Sequence, residues 1–288
     1  PGSLGQFIVS REASKHAKVI IGGQGGDEIF GGYTRYLIGY FEQCIKAAID
    51  GTLNDGNFVV TYESIISNLC TLRQYKPLLQ DFWSEGMFDE LHNRYWRLIN
   101  RSRCYEGIIH PELLDSKAAR KSYDEIFYAD GTQHASYFDR MSHFDFRTLL
   151  PALLHVEDRV SMAHGLESRV PFLDHKIVEF TATIPADIKF KDGELKRLLL
   201  RTFNDKLPDS IRNRKDKMGF PIPLNNWVRE HDDVRSFVGD ILSSSVAQQR
   251  PYLIRPIPVD ELLDSQGKFG RSLWALLCIE VWHRLYID

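Results

Sequence analysis

The chain opens with a short apolar run that leads directly into a cluster of glycines. Residues 18–21 read KVII, a β-branched run typical of a buried parallel strand, and glycines dominate residues 22–26. Apolar residues then recur at helical spacing from about Asp27 to Ile49, and Gly51 ends the pattern. The pattern therefore predicts a strand, a glycine loop and a long helix at the beginning of the chain.

Helical periodicity continues through the rest of the chain, without repeats. Weaker patches between residues 51 and 131 predict short helices joined by polar turns. A long helix is expected over residues 133–150, interrupted at Pro151 because proline removes a backbone donor, and resumed after it to a stop at Gly165. Residues 192–207 form an amphipathic pattern, and residues 270–287 are apolar on nearly every side, which predicts a buried last helix. We expect a mostly helical chain.

Composition places the chain among ordinary globular proteins. It has 288 residues, of which 43% are hydrophobic and 26% charged, which is enough for one large or two modest domains. The net charge of -3 gives no reason to expect a nucleic acid or an anionic membrane as partner. No apolar stretch reaches the roughly 18 residues that a transmembrane helix needs. Scattered cysteines without CxxC spacing argue against zinc or disulfides and suit a reducing cytoplasm; they are Cys44, Cys70, Cys104 and Cys278.

The glycine cluster, GGQGGDEIFGGY at residues 22–33, is the first stretch that indicates chemistry. A glycine loop between a strand and a helix presents several backbone N–H groups to one point, which suits phosphate. Asp27 and Glu28 would repel phosphate unless a divalent cation lay between them, and magnesium bound to a nucleotide meets that need. The alternative is an ordinary glycine turn with a helix cap. A P-loop signature and a GxGxxG motif are both missing.

Charged residues are interleaved with apolar ones in a second stretch, residues 155–180. Two interpretations of it stay open. Buried charges tend to be paired, so the stretch is either a structural ion-pair network or a pocket wall in which an arginine binds a carboxylate. A third, basic stretch over residues 189–217 is typical of a solvated face. Lys196 is the exception, because it follows a glycine turn early in an amphipathic helix, where one cation can reach into a site.

Together these stretches resemble the synthetase domain of the asparagine synthetase family, the glutamine-hydrolysing ligases that amidate aspartate. GGQGGDEIFGGY is similar to the family's glycine loop, DRVSMAHGLESRVPFLDHKIVEF to its second signature, and GELKRLLLR and RKDKMGFPIPLNNW to its third and fourth. The resemblance implies an α/β PP-loop ATPase fold, adenine nucleotide alpha hydrolase-like, with one or two residual parallel strands. Residues 1–50 would be a remnant of the nucleotide-binding core, and residues 51–288 a helical synthetase domain that carries the site segments 155–180 and 189–227.

The resemblance also implies a mechanism and a set of site residues. The β-carboxylate of aspartate would attack the α-phosphorus of ATP, and ammonia derived from glutamine would displace AMP from β-aspartyl-AMP. Lys196 would balance negative charge as the adenylate forms and breaks. The residues with implied roles are Lys196, Gln24 and Glu28 in catalysis, Gly22, Gly23, Gly25 and Gly26 in binding ATP, Asp158, Glu167 and Arg169 in a substrate pocket, and Asp27 in holding Mg²⁺.

The sequence departs from the family pattern near its beginning. A glutaminase domain with a nucleophilic cysteine, and a Ser-Gly-Gly-x-Asp-Ser loop that grips pyrophosphate, are expected ahead of the glycine loop and are missing. Gln24 stands where many members carry glutamate, and an amide cannot serve as a general base. Gly22 replaces the usual serine. We therefore expect a cytoplasmic ligase truncated at its N-terminus, inactive by itself and dependent on its glutaminase domain.

Two alternatives to asparagine formation stay open. Gln24 leaves room for a relative that activates another carboxylate, as in β-lactam ring closure or the amidation of sugars and peptides. A helical scaffold that has lost catalysis is the other alternative. The family resemblance is also compatible with a homodimer, and one aromatic patch suits either an interface or a core: Tyr33, Tyr36, Tyr40 and Phe41.

Overall fold

The computed structural model describes residues 2–51, 76–114, 117–132, 135–214, 222–265 and 271–288. In chain order its elements begin with α1 (Gly2–Ala13), β1 (Val19–Ile21), α2 (Gly26–Phe30), α3 (Thr34–Ile49), α4 (Lys76–Trp83), α5 (Leu91–Ile99), α6 (Pro111–Leu114), α7 (Lys117–Phe127) and α8 (Tyr137–Met162). They continue with β2 (Glu167–Arg169), α9 (His175–Thr183), α10 (Ala186–Lys189), α11 (Arg197–Thr202), α12 (Asp209–Arg212), α13 (Leu224–Glu230), α14 (Asp232–Leu242), α15 (Ser245–Gln248), α16 (Val259–Ser265) and α17 (Ser272–Tyr286). Short 3-10 turns lie at Ser102–Tyr105, Pro171–Leu173 and Lys191–Gly193.

The two strands form a small parallel sheet in a helix-rich structure, as the sequence predicts. The register pairs Val19 with Glu167, Ile20 with Ser168 and Ile21 with Arg169. The expectation of a buried strand is wrong within the described residues, because Val19 is 42% and Ile21 77% exposed. Only Ile20 is turned toward the protein, since side chains alternate between the faces of a strand. The PP-loop ATPase topology stays a prediction.

Contacts between residues divide the chain into two compact units. One comprises Pro1–Val9, Asn100–Arg120 and Met218–Asp288, and the other comprises Ser10–Ile99 and Lys121–Lys217. No boundary between these units falls at residue 50, because α3 packs against α5 within the second unit. The functional division into residues 1–50 and 51–288 stays a prediction.

The unit formed by Ser10–Ile99 and Lys121–Lys217 has an aromatic core. Phe138 and Phe190 are both fully buried and stack with their ring centroids 4.9 Å apart. Tyr36 and Tyr40 of α3 are buried in the same cluster. The aromatic patch considered as a possible interface is therefore part of a core, and a homodimer stays a prediction without support from it.

Two predicted helix boundaries are wrong. The helix expected from Asp27 to Ile49 is broken by Gly31, whose φ of 69° belongs to the left-handed region. A Cβ at Gly31 would lie 2.7 Å from the ring of Phe138, so tertiary packing as well as backbone conformation selects glycine. Conversely, α8 runs through Pro151 without interruption. The ring lies on the exposed side of α8, where water can satisfy the carbonyl that loses its N–H partner.

The unit formed by Pro1–Val9, Asn100–Arg120 and Met218–Asp288 has a separate aliphatic core. It includes residues from α13, α14, α16 and α17, with Leu242, Leu273 and Leu276 almost fully buried. The last helix is not buried on every side as predicted, because Trp282 is 50% and Leu285 68% exposed. Among the described residues, no helix combines the length and apolar character that crossing a membrane requires.

Some predictions fall outside the described residues. These are the helical patch within residues 52–75, which includes Cys70, and the part of RKDKMGFPIPLNNW at residues 215–221. Within the basic stretch, Lys189 does not lie on a solvated face. It is 6% exposed, and its Nζ lies 3.0 Å from Asp139 Oδ1.

Candidate active site

The glycine loop connects β1 to α2 and leaves several backbone donors unused. The Gly22 N–H extends the parallel ladder by donating to Arg169 O at 2.7 Å. The Gly26 N–H donates to Gly23 O at 3.3 Å. The backbone N–H groups at positions 23–25 donate no hydrogen bond within the described part of the chain. Three adjacent backbone donors of the loop are thus not used by the described part of the chain.

Gly25 shows why the loop needs glycine. Its φ is 86°, and a Cβ there would lie 2.3 Å from Leu173 Cδ2. The loop thus packs directly against the 3-10 turn at Pro171–Leu173. Both the left-handed backbone and the close approach exclude a larger residue.

Asp27 and Lys196 form an ion pair next to the loop. Lys196 Nζ lies 2.9 Å from Asp27 Oδ1, and the side chains are 34% and 27% exposed. Lys196 is not inside a helix as predicted. It immediately precedes α11 with a left-handed φ of 56°, and its N–H donates to Gly31 O at 3.3 Å. Close packing surrounds the pair, because a Cβ at Gly32 would lie 1.8 Å from Asp27 Oδ1.

Glu28 is buried beside this pair and is held by Tyr33. It is 2% exposed, and its Oε1 accepts a hydrogen bond from the Tyr33 hydroxyl. Burial raises the pKa of Glu28, and the hydrogen bond from Tyr33 opposes that shift only in part. The backbone carbonyl of Glu28 accepts from Ser142 Oγ of α8 at 2.6 Å. Hydrogen bonds therefore hold both the side-chain carboxylate and the backbone carbonyl of Glu28.

The support behind Tyr33 is a buried polar network that the sequence does not reveal. The Arg35 guanidinium carbon lies 3.8 Å from the centroid of the Tyr33 ring. Arg35 Nε donates to Asp145 Oδ2 at 3.2 Å, and Tyr36 donates to the same oxygen at 2.6 Å. The Tyr95 hydroxyl donates to Asp145 Oδ1 at 3.1 Å. The sequence around Asp145 does not indicate this role, because a single aspartate within a helical pattern has no distinctive spacing.

A further carboxylate, Glu157 near the end of α8, contacts the loop at Gln24. Its Oε2 accepts from Gln24 Nε2 at 2.5 Å, and its Oε1 accepts from Ser168 Oγ at 2.5 Å. Glu157 is part of the second charged stretch, but the sequence alone does not single it out. The sequence offers one indirect indication, which is that the side-chain amide of Gln24 needs a hydrogen-bond partner.

Comparison with known proteins identifies the family. The model of the asparagine synthase family matches residues 1–284. The chain belongs to this family. It is 27% identical over 303 residues to "Asparagine synthetase [glutamine-hydrolyzing] 1" of Bacillus subtilis, covering 100% of this chain and 44% of that protein. It is 26% identical over 306 residues to "Putative asparagine synthetase [glutamine-hydrolyzing]" of Mycobacterium bovis, covering 100% and 42%.

A shorter match reaches higher identity. The chain is 37% identical over 161 residues to "Asparagine synthetase [glutamine-hydrolyzing]" of Rattus norvegicus, covering 48% of this chain and 29% of that protein. The chain thus spans 44% or less of the length of each of these relatives.

In this member of the asparagine synthase family, most of the predicted site residues lie on the glycine loop or close to it. All of them belong to the unit formed by Ser10–Ile99 and Lys121–Lys217. Lys196, Asp27 and Glu28 come together as described above. The predicted pocket residues do not join them through side-chain contacts within the described residues. Asp158 is exposed, and Glu167 and Arg169 are exposed and pair with each other, with Arg169 Nε 2.8 Å from Glu167 Oε1. Their role as a substrate pocket stays a prediction.

Proposed function

We propose that this chain is the synthetase part of an ATP-dependent ligase that forms asparagine from aspartate and ammonia, with glutamine as the source of ammonia. The single observation that carries the proposal is the Asp27–Lys196 ion pair, with Nζ and Oδ1 2.9 Å apart beside the glycine loop, in a member of the asparagine synthase family. An ammonium and a carboxylate at one place suit a substrate that brings both phosphate and a divalent cation.

Backbone donors and Lys196 would bind the phosphates of ATP. Within the loop, the backbone N–H groups at positions 23–25 are the candidates. Those of Gly22 and Gly26 already donate hydrogen bonds within the protein. Lys196 would stabilise the charge on phosphate while β-aspartyl-AMP forms and breaks. Preorganised charge of this kind changes rates by about a hundredfold to a thousandfold.

The residues present fit Mg²⁺ carried by the nucleotide. Among the described residues, no group of three or more His, Cys, Asp or Glu side chains could hold a metal ion by itself. Mg²⁺ usually keeps several waters and binds through one or two carboxylates together with substrate phosphates. Asp27 would be that carboxylate. Magnesium bound there would neutralise phosphate charge and orient the leaving pyrophosphate.

Glu28 would face the aspartate substrate. Its burial and its hydrogen bond from Tyr33 fix the position of the carboxylate. As an anion it would attract the α-ammonium group of an amino-acid substrate, which distinguishes aspartate from a simple dicarboxylate. The Arg35–Asp145 network would keep Tyr33, and through it Glu28, in place.

The first test uses the complete protein encoded by the reading frame that contains this chain. Aspartate-dependent exchange of pyrophosphate into ATP measures adenylation, and asparagine and AMP measure the complete reaction. Lys196→Ala should lower asparagine formation about a hundredfold or more, because the charge on phosphate loses its ammonium partner. Lys206→Ala, which removes an exposed lysine from the same unit, should leave the rate unchanged.

Near wild-type turnover of Lys196→Ala would contradict the assigned role. Pyrophosphate exchange that requires another carboxylic acid instead of aspartate would indicate that the enzyme forms a different amide. Wild-type protein that shows no exchange with any carboxylic acid would favour the scaffold alternative.

A further inference from the structure

Glu157 is the carboxylate at the glycine loop that the proposed function does not yet use. Its two oxygens accept hydrogen bonds from neutral donors, Gln24 Nε2 and Ser168 Oγ, each at 2.5 Å. No lysine, arginine or histidine pairs with it among the described residues. A half-buried carboxylate with two neutral donors has acceptor positions left over. It is a place for a cation or for a proton.

The fold builds this position from separate parts of the chain. The parallel register sets Ser168 opposite Ile20, on the face of β2 away from exposed Glu167 and Arg169. The chain then continues to Gly22, where a Cβ would lie 2.6 Å from Glu157 Oε1. Glycine at position 22 leaves this space to the carboxylate, which a larger residue would have to displace. A serine at that position would have to share this space with the Glu157 carboxylate.

The charged groups on the elements packed against this end of α8 are already engaged with other partners. In α2, Asp27 pairs with Lys196, and Glu28 accepts from Tyr33. In β2, Glu167 and Arg169 pair with each other. None of these contacts supplies a positive charge to Glu157. The carboxylate is thus neither a structural ion-pair member nor a spectator on a solvated face.

We propose that Glu157 is the proton acceptor for the amine nucleophile, an inference that rests on the proposed ligase function. As ammonia attacks the acyl carbon of the adenylate, the C–N bond forms and the C–O bond to AMP breaks. The nitrogen, positively charged after attack, gives one N–H proton to the Glu157 carboxylate, which later releases it to water. Gln24 positions Glu157 and takes no proton itself. Glu157 of α8 thus provides the carboxylate that is absent at position 24.

The experiment separates adenylation from amide formation in the complete protein. Glu157→Gln keeps the size of the side chain and removes its capacity to accept a proton. Pyrophosphate exchange should stay within about threefold of wild type, and amide formation from ammonia should fall about a hundredfold or more, the usual contribution of general base catalysis. The deficit should shrink as the pH rises, because hydroxide then takes the proton that position 157 no longer accepts.

Two further variants make the result specific. The double variant Gln24→Glu with Glu157→Gln exchanges the amide and the carboxylate and should recover much of the lost amide formation. Glu179→Gln, an exposed glutamate of α9, should behave as wild type in both assays.

Equal losses of exchange and amide formation in Glu157→Gln, or a deficit that does not change with pH, would assign Glu157 a structural role and overturn the proposal. Undiminished amide formation would overturn it as well. If the wild-type protein itself gave no exchange, the proposed ligase function would fail, and that outcome is distinguishable from either of these.

Discussion

Lys196 combines a functional side chain with an unfavourable backbone conformation. A residue other than glycine at a φ of 56° is strained, and such strain typically costs about 1 kcal/mol or more. The neighbouring backbone holds the residue there through the hydrogen bond to Gly31 O. In this conformation the ammonium lies beside Asp27.

Lys196→Gly and Lys196→Ala should therefore differ in stability although both lose the ammonium. We expect the glycine variant to have the higher free energy of unfolding, by about 1 kcal/mol, because glycine adopts a left-handed backbone without strain. Denaturant unfolding of the two variants measures the difference. The same pair of substitutions at Lys206, whose φ is not positive, should show the opposite order. Equal stabilities at position 196 would mean that its backbone is unstrained.

The sequence identifies Asp27, Glu28 and Lys196 as individual site residues, but not their partners. Motif residues are recognisable because glycine spacing and charge stand out locally. The contacts of Glu28 with Tyr33 and of Gln24 with Glu157 depend on how the elements pack. Such tertiary contacts cannot be recognised from the spacing of residues in the sequence.

At the scale of elements, the break between α2 and α3 is what brings the ion pair together. The pattern of apolar residues continues across Gly31 and Gly32, so periodicity alone predicts one helix. The glycines instead turn the chain and let Asp27 and Lys196 approach. The parallel strand at residues 18–21 is predicted correctly, but its exposure and the strand at Glu167–Arg169 are not, because both depend on neighbouring elements.

Gly32→Ala should disturb the site more than Gly23→Ala. A Cβ at Gly32 would meet Asp27 Oδ1 at 1.8 Å and Lys196 Cε at 2.6 Å, whereas a Cβ at Gly23 would meet nothing within 4 Å. We expect Gly32→Ala to cost about 1–3 kcal/mol of unfolding free energy, as overpacking does, and Gly23→Ala to cost little. Denaturant unfolding measures both. Equal effects would show that the turn at Gly32 relaxes without displacing the ion pair.

At the scale of the whole molecule, the chain has two units with separate cores, each with its own buried polar links. In the unit that ends at Asp288, Arg250 Nε donates to Glu280 Oε2 at 2.8 Å, and Arg284 Nε donates to Glu280 Oε1 at 2.9 Å. Burial alone would raise the pKa of Glu280, but the hydrogen bonds from Arg250 and Arg284 outweigh it and lower the pKa below its ordinary value of 4.5.

This unit should lose stability in acid through Glu280. Because its folded-state pKa is lowered, the stabilisation is fully present above the unfolded value of 4.5 and disappears as the pH falls through the folded value. Glu280→Gln should lower the thermal unfolding midpoint by several degrees at neutral pH, and its difference from wild type should narrow in acid. Glu261→Gln, which breaks an exposed pair with Arg255, should change the midpoint little at any pH. A constant difference across the pH range would contradict the assignment.

The family and the helix-rich class are predicted from the sequence, because the signature segments are short and local. The division into two units is not, since each unit gathers segments that are far apart in the chain. Residues 100–120 and 218–288 share a unit because their apolar side chains form one core, with Ile108 packed among residues of α13 to α17. Helical periodicity shows that a face is apolar but not which helix covers it.

The contact of Glu157 with Gln24, Ser168 and the space at Gly22 also limits how this site can evolve. A serine at position 22 displaces the carboxylate unless position 157 shortens first, and a shorter residue at 157 leaves the Gln24 amide and the Ser168 hydroxyl without their acceptor. Each substitution alone therefore disturbs the contacts of the other positions. We therefore expect positions 22, 24 and 157 to change together and not singly, because they share one set of contacts.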